Sequence, residues 1–300
     1  MDVLVTGASG LIGSALRPAL VAAGHRPVAL VRRPAAGADE VSWDPASGRL
    51  DRASIEGAGA AVHLAGVGIG DKRWTDKQKR LLRESRVQAT GLLSRAIAAL
   101  RDPPPVLVSA SAIGYYGDRG DEILTEKSGP GDGFLPDLCQ AWEAATAPAE
   151  QAGTRVVHIR SGIVLTPEGG ALAKLLPLFR FGLGGRFGSG QQWQSWISMH
   201  DEIAAILHVL GASVAGPVNL TAPNPVRNRE LAATLGRVLH RPAVLPVPKF
   251  GPSLVVGSEL AENLLYFSQR VLPHRLEESG FTFAHRSLEG ALGCMLNSRD

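Results

Sequence analysis

The sequence is poor in the residue types that announce specialised chemistry. Cysteine occurs twice in 300 residues, as Cys139 and Cys294, a spacing that builds neither a disulfide framework nor a thiolate metal site. Aromatic residues amount to 5%, and only three of them are tyrosines, Tyr115, Tyr116 and Tyr266. Any phenol that moves a proton must be one of those. No uninterrupted apolar run is long enough to span a bilayer. The first apolar run is short and lacks the basic flank and cleavage site of a secretory signal. A formal charge of +3 without a long basic stretch leaves no electrostatic footprint for nucleic acid. No repeat of solenoid period occurs. These absences predict a cytoplasmic chain whose partner is a small molecule, with no nucleic acid, membrane or metal; a homodimer is the assembly left open.

What the chain does contain is concentrated at its start. Asp2-Val-Leu-Val-Thr6 is an apolar run suited to a buried parallel strand. Gly7-Ala-Ser-Gly10-Leu-Ile-Gly13 follows, then a predicted helix over Ser14–Ala23 that Gly24 ends, then a second strand over Pro27–Val31. Strand, glycine turn and helix in that order suit a dinucleotide diphosphate. Gly7 permits the tight turn, Gly10 the close approach of the phosphates, and Gly13 close packing of helix on sheet. The unpaired amides near Leu11 and Ile12 face the phosphates with the positive end of the helix dipole. Thr6, Gly7, Ser9, Gly10, Leu11, Ile12 and Gly13 are therefore candidate cofactor residues. Where an acid would select the ribose 2′-hydroxyl of NAD, the second strand ends in Arg32-Arg33. Guanidinium groups match a 2′-phosphate, so the expected cofactor is NADP.

Farther along, Val41–Asp44 predicts a third strand, with Trp43 and Asp44 as adenine-pocket candidates. A fourth strand at Ala60–Leu64 leads into Leu64, Ala65 and Gly66, small enough to lie against cofactor ribose and phosphate. A charged helix over Thr75–Leu100 carries Leu81, Leu82, Val87, Leu92, Leu93 and Ile97 at helical spacing. Val106–Ser109 predicts a fifth strand, its last residue a further cofactor candidate. Ligands in such sheets gather at the carboxyl ends of the strands, so Ser111 can hydrogen-bond a substrate oxygen and Tyr115 or Tyr116 can supply a phenol or an aromatic wall. Asp118–Gly133, polar and glycine-rich, reads as a mobile flap. A helix over Phe134–Gln151 brings Cys139 and Glu143, and a sixth strand over Thr154–Arg160 leads Ser161, Gly162 and Val164 past the nicotinamide. Farther on, His200-Asp201 precedes a helix over Glu202–Leu210, with Asp201 near its N-cap, and Pro242–Pro252 reads as extended. The alternation predicts an α/β fold, a Rossmann doubly wound parallel sheet over residues 1–165. A smaller C-terminal substrate lobe spans 166–300, with part of 191–221 returning to the sheet.

These motifs resemble a known family. Thr6–Gly13, Leu64-Ala-Gly66, Ser109-Ala-Ser111 with Tyr116-Gly117, and Ile159–Leu165 are similar to the extended short-chain dehydrogenase/reductase family. Asp71-Lys-Arg-Trp74, Trp142-Glu143-Ala144, Ser195-Trp196-Ile197 with His200-Asp201, and Ser268–Pro273 through Gly280-Phe281 resemble one branch of it. That branch is the atypical NAD(P)-dependent epimerase-like proteins with an uncharacterised C-terminal domain. The resemblance implies a Rossmann domain, NADP binding and a substrate lobe, and names no substrate. It also marks a departure. The family's usual catalytic pair is a tyrosine and, one helical turn later, a lysine, on the helix read here as 134–151. That helix has neither; Leu138 and Trp142, or Cys139 and Glu143, fill the slots.

Each replacement candidate has a plainer alternative. Cys139 is a weak acid or nucleophile, or a small core residue. Glu143 is a base, or a structural hydrogen-bonding group. Tyr115 and Tyr116 approach from the opposite wall, and His200 is a neutral-pH shuttle or a helix-entry residue. Two functions follow. One is an NADP-dependent oxidoreductase or epimerase acting on a small hydroxyl- or keto-bearing substrate, a nucleotide sugar among the options. The other is an NADP-binding redox sensor or interaction protein without turnover.

Overall fold

Strand β1 (Asp2–Thr6) shows why the chain folds in layers: Val3 and Val5 face one core and Leu4 another, because successive side chains in a strand point to opposite faces. The structure, a computed structural model, describes residues 1–297. Helix α1 (Leu11–Ala22) leads to β2 (Arg26–Val31), then β3 (Glu40–Asp44) and the short antiparallel β4 (Arg49–Leu50). Strand β5 (Ala60–His63), helix α2 (Asp76–Ala98) and β6 (Val106–Ala112) follow. A two-residue strand β7 (Ile123–Leu124) precedes helices α3 (Phe134–Ala144) and α4 (Ala147–Gln151) and strand β8 (Arg155–Ser161). Beyond β8 lie β9 (Ile163–Leu165), α5 (Gly170–Arg180), β10 (Trp193–Gln194), β11 (Trp196–Ser198), α6 (Met199–Gly211) and β12 (Gly216–Leu220). The remaining elements are β13 (Val226–Arg227), α7 (Asn228–Val238), α8 (Phe250–Val256), α9 (Ser258–Ala261), a π-helical segment (Glu262–Tyr266), β14 (Arg270–Val271), α10 (His274–Glu278) and α11 (Leu288–Asn297).

The principal sheet has eight strands in the order β12-β8-β6-β5-β1-β2-β3-β4, parallel apart from the β3–β4 pair. It is a doubly wound α/β sheet with the Rossmann strand order. Val3, Val5, Leu16, Leu20, Ile206 and Val209 form the core on the α1 and α6 face. Leu4, Leu30, Leu92, Leu93 and Ile97 form the core on the α2 face. A third core of Leu172, Leu176, Phe179, Trp196, Leu231, Leu235 and Leu292 joins α5, α7 and α11 beside the β9–β11 pair.

Several local expectations give way to tertiary contacts. Residues 118–133 are pinned rather than free to move. Leu124 is fully buried with β7 paired to β14, the Ser268 amide donates to Asp118, and both Trp193 Nε1 and Arg227 donate to Asp121. The 134–151 helix breaks at Ala145–Thr146, before Pro148. Helix α6 is capped by Ser198, whose Oγ accepts from the Asp201 amide, not by Asp201. Leu81 is exposed, and the 242–252 segment turns helical at Phe250. Trp43 is buried edge-on to His63, inside the core rather than at an adenine pocket.

Candidate functional site

The turn after β1 is tightly determined. Gly7 has φ +66°, and a Cβ there would lie 2.7 Å from the Leu64 carbonyl oxygen. A Cβ on Gly13 would fall inside the envelope of the Gly7 carbonyl oxygen and 2.9 Å from Ala8 Cα. Gly10, with φ −77°, is different: only the Gly7 oxygen lies near its missing Cβ, at 3.1 Å, and the rest is open. Helix α1 begins at Leu11 with no side-chain cap and no acid in its first turn. Its first internal bond runs from the Ser14 amide to the Gly10 carbonyl, so the amides of Leu11, Ile12 and Gly13 have no helical acceptor. Bare amides at a positive dipole end, beside an exposed Ser9 and Gly10, fit a diphosphate.

Two predicted cofactor residues do other work. Thr6 is buried; its Oγ1 accepts from the amides of Leu64 and Ala65, each at 3.1 Å, and bonds His63 Nδ1 at 2.8 Å. It therefore shapes the Leu64–Gly66 loop rather than facing the cleft. Thr90 bonds the other ring nitrogen of His63, and burial pushes that imidazole down to about 4, so it stays neutral. Ser109 is fully covered one layer beneath Ser111 on the same face of β6, and its hydroxyl has no partner among the described residues.

The two arginines ending β2 separate. Arg33 grips Glu40 through both nitrogens, at 2.6 and 2.5 Å, and this bond holds the Glu40 carboxyl down at about 2. Arg32 is exposed and has no ion-pair partner among the described residues. Of the two, Arg32 is the guanidinium available to a 2′-phosphate.

At the carboxyl ends of β6 and β8 the sheet builds a charged cluster. Ser111 and Arg160 are register partners, so their side chains share the α3 face. Ser111 Oγ donates to Glu143 Oε1 at 2.6 Å. Arg160 Nε donates to the same oxygen and Nη2 to Oε2, both at 2.8 Å. Arg160 Nη1 donates to the Tyr116 hydroxyl at 3.1 Å, which donates to Asn219 Oδ1 at 2.7 Å. The Arg160 guanidinium lies 3.4 Å from the centroid of Tyr115. Burial works against its charge, but the bonds and charge of Glu143, together with Tyr116, outweigh burial and hold it above its usual value. Arg160 and Asn219 complete a network that the sequence reading did not assemble.

Three of the proton-donor candidates do not reach the cleft as proton donors. Tyr116 is fully buried, and burial pushes its phenol up to about 12; it braces Arg160 and does not open on the cleft. Cys139 is buried with Sγ toward the Ala112 carbonyl, and burial, with the Glu143 charge, pushes its thiol up to about 12. It is a core residue, without a thiolate at neutral pH. Tyr115 keeps partial exposure, and Ser111 keeps 5%. His200 lies elsewhere. Arg160 and Ser161 are successive strand residues, so Ser161 and α6 occupy the opposite face. On that face the exposed His200 groups with Asp201 and His285, their ligand atoms within 4.8 Å. Asp201 spends its carboxylate on the amides of Ala284 and His285, fastening that segment to α6.

Ser161 Oγ donates to Glu202 Oε1 at 2.6 Å, and Glu202 is wholly buried with Oε2 unpartnered among the described residues. Burial pushes this carboxyl up to about 7 from 4.5. The folded state therefore binds the proton more tightly than the unfolded chain, and its stability falls as pH rises from about 4.5 to about 7. Glu202→Gln should remove about 3 kcal/mol of that decline. Urea unfolding at either end of this window checks it; equal declines in variant and parent would count against a strained buried carboxyl.

The layered parallel sheet and its glycine turn define a Rossmann-type dinucleotide-binding protein. More particularly, the chain belongs to the NAD dependent epimerase/dehydratase family, which matches residues 3–221, while residues 247–293 match a domain of unknown function, DUF1731. It is 44% identical over 291 residues to the Mycobacterium leprae epimerase family protein ML0860, covering 97% of this chain and 94% of that protein. The crystal structure of human epimerase family protein SDR39U1 with NADPH superposes with a TM-score of 0.91 at 36% identity, covering 99% of this chain and 100% of that one. A nucleoside-diphosphate sugar epimerase from Corynebacterium glutamicum gives 0.81 at 38% identity, covering 99% of this chain and 58% of that one. Among the described residues no helix is long and apolar enough to cross a membrane.

Proposed function

We propose that this chain is an NADP(H)-dependent oxidoreductase or epimerase acting on a small hydroxyl- or keto-bearing substrate, with nucleotide sugars as the first class to try. The observation that carries the reading is the 2.6 Å bond from Ser111 to Glu143 at the strand ends. Support for the cofactor comes from the uncapped turn, from Arg32, which is exposed and without an ion-pair partner among the described residues, and from the NADPH of the SDR39U1 structure. The name of the Corynebacterium neighbour supports the substrate class.

A dinucleotide held at that turn would supply or accept the hydride. Ser111 handles the accompanying proton: as a substrate hydroxyl is oxidised, its proton passes to Ser111 Oγ while the serine hydrogen passes to Glu143 Oε1. Reduction runs the same path backward. Arg160 keeps its charge throughout and fixes Glu143 through paired bonds. Tyr115 walls the substrate against Arg160. Glu143 thus takes over proton handling from a helix without tyrosine or lysine.

Ser111→Ala should lower turnover at least about a hundredfold, within the range of general acid–base catalysis. The NADPH dissociation constant should stay within about twofold, since the serine touches the proton rather than the phosphates. NADPH oxidation followed against a panel of carbonyl compounds and nucleotide sugars reads both quantities; undiminished turnover would remove Ser111 from the relay. A second reading, a dinucleotide-binding sensor, is favoured by one observation: the helix slots hold a Cys139 pushed to about 12 and a Glu143 already paired. NADPH binding with no oxidation anywhere in the panel would select it.

A further inference from the structure

Arg86 is a guanidinium without a counter-charge among the described residues. It stands on α2 and is only 9% exposed, yet no carboxylate among the described residues lies within ion-pair distance. Among the described residues its one side-chain bond runs from Nη1 to the Leu82 carbonyl of its own helix, at 3.2 Å. A buried cation that lacks an anion is costly, and burial holds this one below its usual value. The rest of its surroundings are specific. Its Cζ lies 5.0 Å from the Trp142 ring. On the other side it packs against the loop after β5, with Cζ 3.3 Å and Nη2 3.5 Å from where a Gly66 Cβ would stand. A side chain at 66 would crowd the guanidinium and force it to give way.

The position is informative. Strand β5 lies between β1, which carries the amide turn, and β6, which carries Ser111. The loop after β5 therefore spans the gap between the phosphate end and the reacting end of the site. The same loop is fixed from below by Thr6, and from the side by Ser85, which accepts from the Val67 amide at 3.3 Å. Arg86 is thus held next to a rigid glycine loop, close to the helix from which the usual lysine is missing.

We propose that Arg86 is a cofactor-positioning residue that pairs with the nicotinamide-side phosphate and adjoining ribose of bound NADP(H). This rests on the cofactor reading above and deepens it. Arg86 supplies from α2 the positive charge that α3 lacks, and the ligand's phosphate supplies the anion that the fold withholds. The Trp142 ring packs against the guanidinium, 5.0 Å from its Cζ.

The test compares NADPH with adenosine 2′,5′-bisphosphate, which keeps the 2′-phosphate but lacks the nicotinamide half. Arg86→Met should weaken NADPH binding roughly ten- to hundredfold, the range for a lost charge-assisted hydrogen bond. Binding of the bisphosphate and the melting temperature should hold, and Arg86→Lys should recover part of the loss. Unchanged NADPH affinity in Arg86→Met would overturn the proposal. Equal losses for both ligands would overturn it too, by placing the effect in the fold. Failure of the unmodified protein to bind NADPH would instead bring down the cofactor reading, and is distinguishable because it needs no variant.

Discussion

Gly10→Val should abolish measurable NADPH binding while leaving the fold intact. Position 10 has an ordinary φ of −77°, and the nearest atom to an added Cβ is the Gly7 oxygen at 3.1 Å, so the backbone needs only a small adjustment. Everything beyond that oxygen is open, and the branched side chain would fill the mouth of the Leu11–Gly13 amide nest. Affinity should fall by at least about a hundredfold, because phosphates could no longer approach bare main chain. Gly13→Ala is the contrasting control. Its Cβ would strike the backbone of Gly7 and Ala8, so it should lose stability by several kcal/mol, on the order of other overpacked cores. Thermal melting with and without NADPH separates the two. A Gly10→Val protein that binds NADPH normally would show that the turn does not hold the phosphates.

Arg160→Met should be the most destabilising single change in the reacting cluster. It removes a guanidinium with 4% side-chain exposure and strands Glu143, itself only 12% exposed, with Ser111 as its remaining partner. Breaking a buried pair on one side costs about 3–5 kcal/mol, chiefly because the other charge is left unpaired. Pairing it with Glu143→Leu should cost less than Arg160→Met alone, since no charge is then stranded. Urea unfolding of the parent, both single variants and the double variant measures the coupling. A loss below about 1 kcal/mol for Arg160→Met would mean that the pair behaves like a solvated surface bridge.

The parts of this molecule that were legible in the sequence are local ones. Residues 1–33 announce strand, turn, helix and strand because glycine spacing and apolar runs act over a few residues. Ser111 and Glu143 could be singled out by their places at a strand end and in a departed helix motif. Their bond to each other could not, because it spans 32 residues and depends on how α3 seats on the sheet. Arg160 did leave a signal: a full charge at the end of Val156-Val157-His158-Ile159 in a central strand demands a buried partner. Arg86 left less, since on a helix rich in Lys77, Lys79, Arg80 and Arg83 one more cation reads as solvated surface. The 118–133 segment misled for a related reason. Glycines and acids suggest mobility, but Leu124 and Glu126 dock on partners near Arg270 and Asn219, about a hundred residues or more away in sequence.

The central claim is that the bare amides after β1, with Arg32 beside them, take a phosphorylated nicotinamide dinucleotide. Calorimetric titration of the unmodified protein with NADPH and, separately, NADH tests it most directly. A saturable one-to-one heat with NADPH and a markedly weaker one with NADH is the predicted result. A folded protein that gives no heat with either dinucleotide would contradict it.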